Sequence, residues 1–403
     1  MPEAVIVATA RSPIGRAFKG SLVSLRPDDM AAQVVRAVLA KVPSLDPTTV
    51  EDLIMGCGQP AGEAGYNLAR VVALLADLPG VPGTTVNRYC SSSLQTIRMA
   101  AHAIRAGEGD VFVAAGVEAV SRFSQGMSDG MPDTHNDAFK QAEERSAARS
   151  LGANEPWSPP AGLPDVYIAM GQTAENVREL ENVARRDMDE FAALSQQRAV
   201  ASQENGFFER EITPLTLADG TVVSKDDGPR PGTTVEKLAE LKPAFRPDGE
   251  VTAGNSCPLN DGAAAVIVMS DTRARELGIE PLARIVSSGV TALNPEIMGL
   301  GPIEACRQAL KRAGMTIDDI DLVEINEAFA AQVVPSARHL GIGYDKLNVH
   351  GGSIALGHPF GMTGARIMTT LVNGLQSDDK TFGLESMCVG GGQGMAMIVE
   401  RLS

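Results

Sequence analysis

Residues 82–117 read PGTTVNRYCSSSLQTIRMAAHAIRAGEGDVFVAAGV, and the order of parts in that stretch decides the fold. Pro82-Gly83 is a turn signal and TTV a short β-branched run. A helical pattern follows from about Ser91 to Ala106, then VFVAAGV at 111–117, an apolar run of the kind that forms a strand buried on both faces. The stretch from Leu347 repeats that order: LNV at 347–349, a glycine-rich loop, a helical pattern from about Gly361 to Leu375, then TFGLESMC and MAMIV. Upstream of each lies another matching piece, EDLIMGCG at 51–58 and DIDLVEIN at 319–326. Strands alternating with helices imply α/β layering, and the repetition implies a duplicated unit. Both repeated helices are apolar on nearly every side, as helices buried between layers are.

Working outward, the segment between the halves has a different composition, with PWSPPAGLP at 156–164 and charged helical stretches such as AENVRELENVARRDMDEF. The expected division is a first half of residues 1–121 with 260–279, an inserted, more solvated segment of 122–259, and a second half of 280–403. The insert carries Lys225, Arg230, Lys237, Lys242 and Arg246, either a phosphate-binding patch or a solvated face.

The whole chain, at 403 residues, is long enough for two or three compact units. With 44% hydrophobic but only 4% aromatic residues, its core is aliphatic. A net charge of -15 argues against nucleic acid or an anionic membrane as the main partner. The opening MPEAVIVATARSPIG lacks a basic leader and reads as a first strand. No apolar run reaches the length of a membrane span. Cys57, Cys90, Cys257, Cys306 and Cys388 stand singly, which suggests neither a disulfide framework nor a zinc site and fits a reducing cytoplasm. No metal or cofactor is expected.

Cys90 falls between a strand and a buried helix, whose N-terminus favours a thiolate; the alternative is a small buried residue. His358, in GHPFG, is held at a turn by the following proline, either as a reacting group or as a hydrogen-bonded structural histidine. CVGGGQG at 388–394 joins two strand-like runs as a hairpin whose N–H groups can face an oxyanion. Asn326 and Glu327 end a buried strand and need partners.

In NRYCSSSLQ (87–95), NEAF (326–329), GHPFG (357–361) and CVGGGQG (388–394), the chain resembles the thiolases, with a match running essentially end to end. The resemblance implies a layered α-β-α-β-α fold with an inserted loop domain. It implies a 3-ketoacyl-CoA thiolase in which Cys90, activated by His358, is acylated, Cys388 exchanges a proton with the acetyl-CoA enolate, and oxyanions are held by Asn326 with His358 and by the N–H groups of Cys90 and Gly390. Coenzyme A is then a substrate, contacted by Arg230, Met170, Leu241, Phe245, Ser256, Cys257 and Phe329, and the protein is a homo-oligomer, dimer or dimer of dimers. The alternatives are a biosynthetic acetoacetyl-CoA thiolase and a non-catalytic acyl-CoA- or sterol-binding relative. Ser93 stands where the family pattern has Gly, and crowding is expected there; Cys257 replaces a Ser and His350 an Asn. Ala169 stands where short-chain members have His, which implies a roomier acyl pocket and a degradative role.

Overall fold

The computed structural model describes residues 2–152 and 155–403. The first half runs β1 (Ala4–Arg11), β2 (Gly15–Arg16), α1 (Pro27–Ala40), β3 (Asp52–Gly56), α2 (Leu68–Leu75), β4 (Gly83–Val86), α3 (Ser92–Ala106) and β5 (Val111–Ala119). Next come α4 (Lys140–Ser150), α5 (Met170–Glu181), α6 (Arg185–Glu204), a small hairpin β6 (Leu215–Thr216) and β7 (Val222–Val223), and α7 (Val235–Ala239). The chain then returns through β8 (Asn260–Ser270) and α8 (Asp271–Glu276). The rest is β9 (Ala283–Ala292), α9 (Gly301–Ala313), β10 (Leu322–Ile325), α10 (Ala330–Leu340), α11 (Ser353–Leu356), α12 (Thr363–Ser377), β11 (Phe382–Val389) and β12 (Gln393–Arg401).

Strand order exposes the duplication. One half orders its strands β4-β3-β5-β8-β1 and the other β10-β11-β12-β9, and the two join where β1 pairs with β9 over only two residue pairs. In the first half β4, β3 and β5 run parallel and in the second β10 and β11 do, while the pairs β5–β8, β8–β1, β11–β12 and β12–β9 are antiparallel. The buried side chains form three cores. One lies under α1 and α2, one around α3 and α12 between the two half-sheets, and one under α9 and α10. That is the expected α-β-α-β-α layering, with α3 and α12 packed against each other in the middle.

The LNV run is not a strand. Leu347 makes a single parallel bridge to Val323, in the place β4 holds beside β3. At Asn348 the backbone turns to a φ of 47°. The Asn348 carboxamide then replaces the next rung of the ladder: its Oδ1 accepts from Ile325 N at 2.9 Å and its Nδ2 donates to Ile325 O at 2.9 Å. The central helix of the second half starts at Thr363, two residues after its expected start.

The inserted stretch is bolted to β1 by buried ions. Arg11, fully buried, grips Asp226 through two hydrogen bonds of 2.8 and 3.0 Å and Glu211 through one of 2.7 Å. A buried cation of this kind survives only with such partners. No helix among the described residues is long and apolar enough to cross a membrane.

Candidate active site

Cys90 is delivered by the tightest route available. From the end of β4 the chain crosses Tyr89, at the strained φ of 41°, and enters α3 within a few residues. The thiol is buried, and burial pushes it up to about 11, against the pull of hydrogen bonds from the N–H groups of Gly390 and of Cys90 itself. The expectation that the helix end yields a thiolate is therefore corrected: desolvation outweighs the helix end, and Cys90 rests as a thiol. Cys388, at the end of β11, is fully buried and raised well above the usual thiol range by burial and by the neighbouring Cys90 and Cys257. The glycine turn between β11 and β12 is the hairpin expected, and brings Gly390 against Tyr89 and the Cys90 sulfur.

His358 arrives by a longer loop and is fixed at both ring nitrogens. Nδ1 lies 2.7 Å from Thr363 Oγ1, whose own proton goes to Pro359 O at 2.8 Å. The threonine oxygen therefore accepts, Nδ1 carries the hydrogen, and Nε2 keeps its lone pair. Facing Nε2 at 3.3 Å is Asn326 Nδ2. The amide cannot turn round, because Asn326 Oδ1 accepts from Ser353 Oγ at 2.6 Å and Ser353 Oγ accepts from Arg366 Nη2 at 3.0 Å. Burial, with help from the Arg366 charge, drops His358 to about 3. The imidazole is neutral at physiological pH, a base with one defined lone pair.

Other contacts hold this loop. Asn260 Oδ1 accepts from His358 N at 3.1 Å. Glu118, at the end of β5, accepts from Gly58 N, Gln59 N and Gly361 N at 2.7, 3.2 and 2.9 Å, clamping the histidine loop onto the first half. Burial raises its carboxyl to about 7 despite those donors. Glu327 finds the partners it needs in Ser195 Oγ, Asn348 Nδ2 and Ile354 N at 2.6, 2.8 and 3.0 Å.

Ser93 does not crowd its surroundings. Its Oγ accepts from Ala365 N at 2.9 Å, so a first-half side chain caps the N-terminus of α12, where helix N–H groups otherwise lack partners. Gly116 makes the room, since a Cβ there would sit 2.5 Å from Ser93 Cβ.

Of the residues expected around coenzyme A, several converge on one strip. Ser256 bridges Phe329, Cys257 N donates to Ala328 O at 3.0 Å, and the Phe245 and Phe329 rings meet edge to face at 5.8 Å. Met170 begins α5, and the adjacent Gly171 lies so close under Phe245 that a Cβ would overlap its ring. Leu241, 40% exposed, packs on Gly254. Arg230 stands apart and exposed, its backbone N held by Gln196 Oε1 at 2.8 Å. It lines a groove of about 1300 Å³ with Phe191, Leu194, Val235 and Tyr344. None of Cys90, Asn326, His358, Cys388, Met170, Phe245 or Phe329 lines that groove, and Asp187, Glu190 and Glu236 do, so it is not a phosphate cradle along its length. Arg246 leaves the basic patch altogether: it is buried, ion-paired to Glu179 and bonded to Asn176 Oδ1 at 3.1 Å.

Sequence reading missed Thr363, Ser353, Arg366, Asn260 and Glu118. The signal for Arg366 was present: the one charge in an otherwise uncharged, buried helix has to find partners inside the protein. Of the other cysteines, Cys306 lies in the core under α9, and Cys57 rests 3.7 Å from the Glu118 carboxylate.

Residues 4–272 match the family described as thiolase, N-terminal domain, and residues 279–401 the thiolase, C-terminal domain. The chain is 44% identical to the 3-ketoacyl-CoA thiolase of Serratia proteamaculans and 43% identical to that of Salmonella typhimurium, each over 411 aligned positions covering the whole of both chains. A crystal structure of the Bacillus anthracis acetyl-CoA acetyltransferase is similar with a TM-score of 0.85 at 39% identity, over 100% of this chain and 99% of that one. With both halves matched and its relatives aligned end to end, the chain belongs to the thiolase family of acyltransferases.

Proposed function

We propose that this protein works as a 3-ketoacyl-CoA thiolase through an acyl-Cys90 intermediate, cleaving a 3-ketoacyl-CoA with coenzyme A to acetyl-CoA and a shortened acyl-CoA. The activity follows from full-length relatives of that name. The observation that carries the residue roles is the defined lone pair on His358 Nε2 beside Asn326. Since Cys90 rests as a thiol and His358 as a neutral imidazole, the first step moves the Cys90 proton to His358 as sulfur attacks the keto carbon. The acetyl-CoA enolate leaves and takes a proton from Cys388; the Cys388 thiolate then takes the thiol proton of coenzyme A as that sulfur attacks the acyl carbon, and the Cys90 sulfur leaves and recovers its proton from His358. Charge on the thioester oxygen of the leaving enolate is met by His358 and a water held by Asn326. Charge on the acyl oxygen is met by the N–H groups of Cys90 and Gly390, donors already aimed before substrate arrives.

In this reading the strip of Met170, Leu241, Phe245, Ser256, Cys257 and Phe329 holds the pantetheine arm and acyl chain. The insert of residues 122–259 carries the nucleotide, with Arg230 meeting a phosphate or the adenine. Ala169, small and exposed just before Met170, leaves room for fatty acyl or sterol side chains and favours degradative flux. We place the protein in the cytoplasm on its scattered free cysteines. We read it as a homo-oligomer because β4 lies at a free sheet edge near exposed Tyr66 and Leu74.

Thiolysis rates across short-, long- and ring-bearing 3-ketoacyl-CoA substrates, with intact-mass detection of the acyl adduct, test the proposal. Turnover with an adduct mapped to Cys90 is expected. Turnover with the adduct on Cys257 or Cys388 overturns the assignment.

A further inference from the structure

We infer that Ser353 is a positioning residue for this reaction, a hydroxyl braced by the Arg366 guanidinium that fixes which end of the Asn326 carboxamide faces His358. The inference rests on the role proposed above for Asn326 and His358.

An asparagine side chain is nearly symmetric in shape but opposite in chemistry at its two ends. Presented with NH2 toward His358 Nε2, Asn326 donates to the imidazole lone pair across 3.3 Å and so keeps that lone pair on Nε2. Turned over, its oxygen would face that lone pair across 3.3 Å, and the imidazole would have to swap tautomers to relieve the repulsion. The proton on Nδ1 would then be lost from Thr363, 2.7 Å away, and Nε2 would no longer be free to take the proton of Cys90. Ser353 blocks this turn. Its hydroxyl hydrogen goes to Asn326 Oδ1 at 2.6 Å, and one of its two oxygen lone pairs takes Arg366 Nη2 at 3.0 Å. A turned amide would set its NH2 beside an oxygen that already accepts from a cation and would take away the acceptor of the serine hydrogen.

The brace is itself held. Arg366 is 1% exposed, and the buried carboxyls of Glu324, Glu211 and Glu327 surround it. Its Nε and Nη1 have no hydrogen-bond partner, so Ser353 is the one polar group among the described residues that the guanidinium grips directly. All members of the chain from Arg366 to His358 are buried. No bulk water stands ready to replace the serine hydroxyl, which makes its removal felt at the imidazole.

The experiment measures kcat, KM and melting temperature for Ser353→Ala alone and in an Asn326→Ala background, using purified full-length protein with acetoacetyl-CoA and coenzyme A. With Ser353→Ala, kcat is expected to fall about tenfold while KM for coenzyme A stays within twofold. In the Asn326→Ala background the same substitution should change kcat less than twofold, because a residue that acts only through Asn326 has nothing left to position. A kcat within twofold of wild type overturns the inference. An undiminished tenfold loss in the Asn326→Ala background also overturns it, since that is how a merely structural serine behaves. If Ser353→Ala does not fold, Ser353→Cys, a weaker donor of similar shape, carries both comparisons. Loss of Asn326→Ala's own effect would instead count against the reading of the site, leaving the two failures distinguishable.

Discussion

The two central helices are laid down by the same architectural unit, yet what precedes them differs. In the first half a paired strand, β4, leads through one strained residue straight into α3, and there is room for a single small group, the Cys90 thiol. In the second half the corresponding strand is reduced to one bridge at Leu347, and fourteen residues separate Asn348 from the first residue of α12, Thr363. The extra loop gives His358 partners on both ring nitrogens, and Arg366 stands within α12 behind them. A short rigid approach suits a nucleophile that must only point. A long approach suits a base whose tautomer has to be set.

The comparison can be broken most severely at its two reactive ends. Cys90→Ala should lower kcat by about 10⁴-fold or more without lowering the melting temperature; appreciable turnover by steady-state thiolysis would remove Cys90 from the mechanism. His358→Ala should cost about 10²- to 10⁴-fold, the usual range for a general base, measured in the same assay. A pH series sharpens the contrast. With Cys90 at about 11 and His358 at about 3, of these two groups only the thiol loses protons between pH 7 and 9, and below its pKa the thiolate fraction grows tenfold per unit. Alkylation of Cys90, followed by peptide mass spectrometry, should therefore rise about a hundredfold over that span without a plateau. A plateau beginning near neutral pH would mean a pre-formed thiolate–imidazolium pair.

Smaller effects probe where the halves meet. A Cβ on Gly361 would lie 2.3 Å from Val117 O, so Gly361→Ala must push the histidine loop off the first half; a loss of about 1–3 kcal/mol in denaturant unfolding is expected. Ser93→Ala removes the cap on α12 and should cost about 1 kcal/mol, with Ser93→Asn, another good capping type, too large for the space beside Gly116. No loss for Ser93→Ala would make its hydrogen bond to Ala365 incidental.

Much of this was legible in the residues. Continuous apolar runs marked the strands, all-round apolar helices marked the central layer, and four motifs marked the reactive groups. What escaped has specific physical causes. LNV has strand composition, but nothing local reveals that the Asn348 side chain completes the ladder in place of backbone. Ser93 reads as an intrusion until the N–H of Ala365, 272 residues away, is seen to need it. Arg246 counts as positive charge in a sum and as a buried strut once Glu179 and Asn176 are beside it. The Cys90 thiol was misjudged for a general reason: a helix end is visible in sequence, and the depth at which it is buried is not.

The place of β1 has a consequence for how the molecule comes into being. β1, synthesised before every strand it pairs with, lies in the middle of the sheet, between β8 and β9, and its partners are residues 264–270 and 283–284. A ribosome moving from the N-terminus therefore finishes β3, β4 and β5 long before the strand that links them to β1 exists. Until then β1, with its eight buried residues, has neither neighbour. Nascent chains that stop short of residue 264 carry β1 as an unpaired apolar strand, so the window of vulnerability during synthesis is set by topology rather than by stability.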